Sequence, residues 1–307
     1  MDFHPIRSPF FYVGDKYKLM PQLIQLFPKK ISCYIEPFVG GGSSFLNTRA
    51  DKYILNDIDP YVVQLHNTLI FYKNEPDKFL NKLFYMIEKL GLSCSYKGIT
   101  CPEVLKKQFV KTYYSHFNKS AYNRLKTEYN SDRDPLKLYL LLIYGFNHMI
   151  RFNSSGVFNL PVGNVDFNKN VYKAIDSYLQ FVAHNEVKFC NEDYVSFLSN
   201  LTIEPDDFVY FDPPYLISGS EYNKFWNEKD EISLYELIDD LNDKKIKFGI
   251  TNLIFHKGKI NEIFAKWSKK YAVYDIKSNY ISFNDNTIKS NSSEVYVTNV
   301  KQNISAE

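Results

Sequence analysis

Two short stretches carry residue types whose spacing could do chemistry together. The first, over 35–45, reads I-E-P-F-V-G-G-G-S-S-F. An apolar run passes into three consecutive glycines and then into serines able to cap a helix, and glycine backbone, lacking Cβ atoms, can approach a bound cofactor closely. About twenty residues on, Y-I-L-N-D ends at Asp57, where a carboxylate can accept both hydroxyls of a ribose. The pair suits an adenosine-containing ligand, although a structural tight turn would use the same glycines. The spacing spells neither the dinucleotide fingerprint nor G-x-x-x-x-G-K-[ST], which disfavours an ATPase loop. The second stretch, over 207–215, is D-F-V-Y-F-D-P-P-Y, an apolar strand ending in Asp212, Pro213, Pro214 and Tyr215. Prolines offer no N–H, so the turn presents acceptors only. It suits a planar amine: the Asp212 carboxylate and the Pro213 carbonyl each accept one N–H while Tyr215 stacks on the ring. An ordinary rigid strand-ending turn is the alternative, and the company of the glycine turn favours the acceptor cradle.

Both motifs need a sheet to hold them. Short apolar runs predict strands over 32–35, 53–56, 187–189, 207–211, 246–251, 271–274 and 294–299, and amphipathic spacing predicts helices over 43–49, from about 60, over 231–241 and over 257–266. This is an α/β pattern interrupted by an insertion, itself helical over 102–116, 121–129 and 135–146 and irregular, as a hairpin or long loop, over 151–165. Charge marks the same division. Residues 66–172 hold 15 Lys/Arg against 8 Asp/Glu, a balance of +7 that leaves −5 for the rest of a chain whose net charge is +2.

Composition sets the outer bounds. A chain of 307 residues with 45% hydrophobic side chains has the material for a large core, and near-neutral charge excludes a uniformly basic tail protein. No apolar run reaches the roughly 20 residues of a membrane span, and the amino-terminal stretch lacks the apolar centre of a secretory signal, so a soluble, cytoplasmic protein is expected. Cys33, Cys94, Cys101 and Cys190 form no C-x-x-C and have no histidine at metal spacing, so neither zinc nor disulfides are expected. His148 and His184 show no triad or metal pattern.

With these residues in view, the sequence resembles the Dam-type (alpha-class, D-P-P-Y) DNA adenine-N6 methyltransferases over nearly its whole length. Besides the two motifs, F-F-Y-V-G-D-K-Y-K-L is similar to the family's amino-terminal cofactor motif, with Tyr12 and Lys16 at the matching positions, and N-H-M-I-R-F-N-S-S-G-V-F-N-L-P-V-G, beginning at Asn147, is similar to its target-recognition segment. The resemblance implies S-adenosylmethionine as methyl donor, with S-adenosylhomocysteine as product and no metal. It also implies a Rossmann-like catalytic domain over 1–65 and 173–307, with a mainly helical target-recognition insertion over 66–172. Carried over by position, Tyr12, Lys16, Phe38, Gly40 and Asp57 contact the cofactor, as does Asp212, with Asp193 and Tyr194 on a poorly aligned loop as further candidates. Asp212, Pro213, Pro214 and Tyr215 hold the target base; apart from the resemblance, Tyr222 and Phe225, shortly after that turn, are candidates for the pocket rim, with simple loop packing as the alternative. Arg151 is the expected base reader, since a guanidinium pairs bidentately with guanine, and Asn147, Asn153, Asn159 and Pro161 shape its hairpin. Lys111, Lys119, Arg124 and Lys126 are the densest source of phosphate contacts.

Departures at Phe11, where members reading GATC can carry lysine, and at Asp15, where the family usually has a second glycine, point away from GATC and toward a restriction-system modification enzyme. The expected partners are therefore double-stranded DNA and, functionally, a cognate restriction endonuclease, with a monomer sufficient. Cytosine-N4 methylation and a catalytically silent DNA-binding subunit are the competing readings.

Overall fold

The computed structural model describes residues 5–219, 226–277 and 292–301. Its strands are β1 (Cys33–Glu36), β2 (Lys52–Asn56), β3 (Glu186–Cys190), β4 (Phe208–Phe211), β5 (Lys247–His256), β6 (Lys259–Ile260), β7 (Ala272–Ile276) and β8 (Ser292–Thr298). They lie in the order β3-β2-β1-β4-β5-β8-β7, the first five parallel, β8 antiparallel to both neighbours, and β6 turned back on the end of β5. Every residue of β1 and β4 is buried, as for central parallel strands covered on both faces. The sheet is Rossmann-like, as expected. Because β1 pairs with β2 on one side and β4 on the other, the strand order reverses there, and a crevice opens beyond the carboxyl ends of these two strands.

Helix α1 (Met20–Leu26) precedes the sheet. Between β2 and β3 run α2 (Pro60–Phe71), α3 (Pro76–Leu90), α4 (Glu103–Gln108), α5 (Tyr113–Asp132), α6 (Pro135–Tyr144) and α7 (Lys169–His184). Helix α8 (Tyr194–Ser199) follows β3, α9 (Glu228–Asp243) precedes β5, and α10 (Glu262–Trp267) follows β6. Start signals are local: Asp59 and Asp134 cap α2 and α6 ahead of a first-turn proline, and Asn168 caps α7. All but two residues of α6 are buried, and it carries one core from the sheet face (Tyr34, Tyr53, Tyr210) through α2 and α7 into α3 and α5. A second core under α9 and α10 covers the opposite face with Ile35, Val209 and Phe248. No described helix is long and apolar enough to cross a membrane.

The seven anticipated strands are present. The helix expected over 43–49 is only a 3-10 turn, Phe45–Asn47, because Thr48 is already extended and leads the chain to β2. The helix expected over 257–266 begins instead as a hairpin: Lys257 (φ 49°) and Gly258 (φ 81°) are both left-handed, as a tight turn matching the sheet twist requires, and α10 starts only after Asn261 caps it. The helix expected over 102–116 breaks after Gln108, and α5 then absorbs the one expected over 121–129. Helices α1, α3, α7 and α8 match none of the expected helices.

Candidate active site

Register brings the two motifs together. Tyr34 pairs with Phe208 and Ile35 with Val209, so the turns leaving β1 and β4 emerge side by side at the switch point. They line one cavity of about 580 Å³, with Tyr12, Lys16, Phe38, Gly40, Asp57 and Asp212 through Tyr215 all on its wall.

The glycine turn is held by its neighbours. Gly40 sits at φ 46° with its N–H donated to Asp57 Oδ2 at 2.8 Å, while Asp57 Oδ1 accepts from the Asp59 N–H at 2.9 Å. Burial outweighs these bonds and raises the Asp57 carboxyl to about 6. A Cβ on Gly41 would lie 2.9 Å from Tyr12 Cβ, because the amino-terminal loop crosses the turn here, fixed by the Ser8 hydroxyl donating to the Gly41 carbonyl. Asp15, the departure from the usual glycine, accepts from the Ser43 hydroxyl and from the Tyr17 N–H at 2.8 Å, tying that loop to the turn. Its burial raises the carboxyl above the usual range.

Lys16 is buried, with Nζ 2.7 Å from Asp212 Oδ1 and 2.8 Å from Oδ2, and 4.0 Å from Glu294 Oε1. Burial works against its ammonium, but Asp212 and Glu294 more than offset that and its pKa is raised. Asp212 Oδ1 also accepts from Thr251 Oγ1 at 3.1 Å, and the Tyr215 hydroxyl lies 3.2 Å from it and 2.7 Å from Glu294 Oε1. The ammonium stands 4.9 Å over the Tyr215 ring. A charged, crosslinked cluster thus fixes the D-P-P-Y turn.

Several wall and support residues were not singled out in the sequence. Glu36 ends β1 on the cavity wall; its Oε1 accepts from the Ser44 hydroxyl, while Oε2 is buried with no hydrogen-bond partner among the described residues. Burial pushes its carboxyl well above the usual range, against the Ser44 bond and with help from the Asp212 charge. Ile58, 66% exposed, lines the cavity beside Asp57. His66, fully buried on α2, sits 2.9 Å from the Gly40 carbonyl through Nε2 and 2.7 Å from Tyr178 Oη through Nδ1. A carbonyl only accepts, so Nε2 carries the proton; burial lowers the imidazole to about 3 and keeps it neutral. Glu36 and Ile58 adjoin quoted motif residues and could have been found. Thr251, Glu294 and His66 had no sequence signal, since only the fold brings them near.

The remaining candidates spread more widely. Asp193 and Tyr194 are not on the described cavity wall: Asp193 caps α8 by accepting from the Val195 and Ser196 N–H groups, and Tyr194 packs on Phe38 with ring centroids 5.2 Å apart. Tyr222 and Phe225 lie outside the described residues. Arg151 donates from Nε to Asn159 Oδ1 at 2.9 Å and from Nη2 to the Asn159 carbonyl at 3.0 Å, bracing the hairpin in which Phe152 bridges to Phe158. Asn153 Oδ1 accepts from the Ser155 and Val157 N–H groups and shapes its tip. Asn147 is exposed at φ 53°, Pro161 accepts from the Phe146 N–H at 3.0 Å, and Lys119 is exposed on α5. Arg124 donates to the Leu90 carbonyl at the end of α3, a helix-capping contact. Among the described residues no group of three or more His, Cys, Asp or Glu side chains could hold a metal ion.

Comparison with known proteins gives the family. Residues 12–282 match the D12 class N6 adenine-specific DNA methyltransferase family. The chain is 32% identical over 302 residues to the type II methyltransferase M.FokI of Planomicrobium okeanokoites, an alignment covering 96% of this chain and 43% of that protein. It is 32% identical over 305 residues to the modification methylase StsI of Streptococcus sanguinis, with the same two coverages. Against the DNA adenine methylase of Escherichia coli (strain K12) it is 27% identical over 253 residues, 78% of each chain. The chain thus spans less than half the length of the first two relatives.

Proposed function

The chain belongs to the D12 class of N6 adenine-specific DNA methyltransferases, and from that premise we propose that it methylates the exocyclic amine of an adenine flipped out of a specific site in double-stranded DNA, with S-adenosylmethionine as donor, as the modification enzyme of a restriction system. The observation that carries this reading is the single cavity shared by the glycine turn with Asp57 and the turn of Asp212 to Tyr215. The wall fits the cofactor. Asp57 suits a ribose, Ile58 offers an apolar face beside it, and the unpartnered Glu36 Oε2 suits an ammonium. Tyr12, Lys16, Phe38, Gly40 and Asp57 would hold the cofactor, which when bound supplies an electrophilic methyl group on a sulfonium.

The chain's own task is then orientation. The adenine amine is a poor nucleophile because its lone pair is delocalised, and Asp212 with the Pro213 carbonyl accepts its two N–H bonds and turns the lone pair outward. Lys16, Thr251 and Tyr215 crowd Asp212 Oδ1, whereas Lys16 alone is bonded to Oδ2 among the described residues, which leaves Oδ2 as the acceptor for the amine. Such fixed geometry can lower a barrier by up to roughly 7–11 kcal/mol, and Asp212 stabilises the positive charge that develops on nitrogen. Flipping the base costs a few kcal/mol, offset by the pocket and by DNA contacts. For those contacts we assign the 66–172 insertion as the recognition unit and 1–65 with 173–307 as the catalytic unit. Arg151 would face bases, Asn147, Asn153 and Pro161 would shape the hairpin, and Lys119 and Arg124 would approach phosphates.

The test is incubation of the purified chain with unmethylated plasmid and labelled S-adenosylmethionine, followed by nucleoside mass analysis. N6-methyladenine, reduced at least about a hundredfold by Asp212→Ala, is expected. N4-methylcytosine would overturn the base assignment, and cofactor binding without any transfer would point to a silent DNA-binding subunit.

A further inference from the structure

β5 ends at His256, and the two-residue turn of Lys257 and Gly258 sends β6 back along it, with Phe255 paired to Ile260 and His256 to Lys259. Both turn residues have positive φ, 49° and 81°. Hairpins of this kind favour Asn, Asp or Gly at each position, and a lysine at the first is strained there. His256 and Lys257 line the same cavity as Asp212 to Tyr215, and Lys257 is exposed, which places it at the cavity mouth. No acidic side chain among the described residues forms an ion pair with it.

The charge around it is lopsided. The described wall holds the carboxyls of Asp15, Asp57, Asp59 and Asp212, besides that of Glu36, whose burial favours the neutral acid, against Lys16, which is buried and already paired with Asp212, and Lys257. A nucleotide entering this cavity brings a phosphodiester to its mouth, and a mostly acidic wall repels that anion unless a cation stands at the entrance. We propose that Lys257 grips a backbone phosphate of the target strand beside the nucleotide that enters the cavity. This rests on the DNA-methylating reading above and adds a DNA-contacting residue outside the 66–172 insertion. The left-handed turn holds the lysine on the cavity wall, and Lys259 on the returning strand, paired with His256, adds a second positive charge.

The test uses Lys257→Asn, which suits the left-handed turn and removes only the charge, alongside Lys257→Arg. For each, KM for plasmid DNA in methyl transfer, duplex affinity by fluorescence anisotropy across salt concentrations, and cofactor Kd by calorimetry are measured. Lys257→Asn is expected to raise KM and duplex Kd roughly five- to tenfold and to reduce the magnitude of the salt slope of duplex affinity by about 0.9, one phosphate contact. Cofactor Kd stays unchanged and Lys257→Arg stays near wild type. An Asn variant with unchanged duplex affinity and slope overturns the proposal, as does one that loses cofactor affinity alone, which would assign the lysine to the cofactor carboxylate. If the wild-type chain binds duplex DNA without methylating it, the catalytic reading fails while the slope comparison still decides the lysine; if it binds no duplex, both fail.

Discussion

Asp57 shows how one side chain can serve the fold and the ligand under conflicting demands. Its oxygens accept backbone N–H bonds from Gly40 and Asp59, yet burial leaves its carboxyl at about 6, so part of the population is protonated in mildly acidic solution. The folded pKa is raised above the ordinary aspartate value. Acid therefore relieves a buried charge in the free protein, while removing the acceptor that a ribose needs. Cofactor Kd is expected to be flat above pH 7 and to rise as pH falls through about 6, by up to about tenfold per unit below it. Calorimetric titration from pH 5 to 8 checks this; a flat profile would separate Asp57 from cofactor binding.

At the scale of elements, the glycine turn is positioned by helices as much as by its own sequence. His66 on α2 bonds the Gly40 carbonyl, Tyr178 on α7 bonds the same imidazole, and Phe189 on β3 stacks on the ring with centroids 4.2 Å apart. Removing the imidazole leaves a carbonyl and a hydroxyl unpaired beside a cavity. His66→Ala is expected to lower unfolding free energy by about 2–4 kcal/mol and to weaken cofactor binding with it. Urea unfolding and calorimetry check both, and a stable variant with weakened cofactor binding would show that the contact sets geometry rather than stability.

At the scale of the molecule, charge and topology divide the work. The sheet's switch point makes the cavity, and the +7 balance lies in the segment carried between β2 and β3. Phosphate contacts release counterions, so duplex affinity should fall with a log–log slope of about −0.9 per contact. Several contacts from this segment predict a loss of at least about tenfold between 50 and 200 mM salt. Anisotropy with a fluorescent duplex measures it, and a salt-insensitive affinity would remove the insertion from the DNA interface.

The sequence by itself determined the elements whose cause is local. Apolar runs marked the strands, amphipathic spacing marked α2 and α6, and the glycine and D-P-P-Y turns pointed to a nucleoside-and-amine site through residue types suited to strand ends. It misjudged 257–266 because helical spacing there competes with a turn set by two left-handed residues, and it missed α1, α3, α7 and α8, where no motif drew notice. Only the tertiary structure decided that Lys16 clamps Asp212, that Glu294 and Thr251 join them, and that His66 supports Gly40. Those contacts join residues 39, 79, 196 and 26 positions apart, the Glu294 one reaching Asp212 through Tyr215. Periodicity and turn chemistry act over a few residues, whereas strand order and register bring such distant side chains within bonding distance.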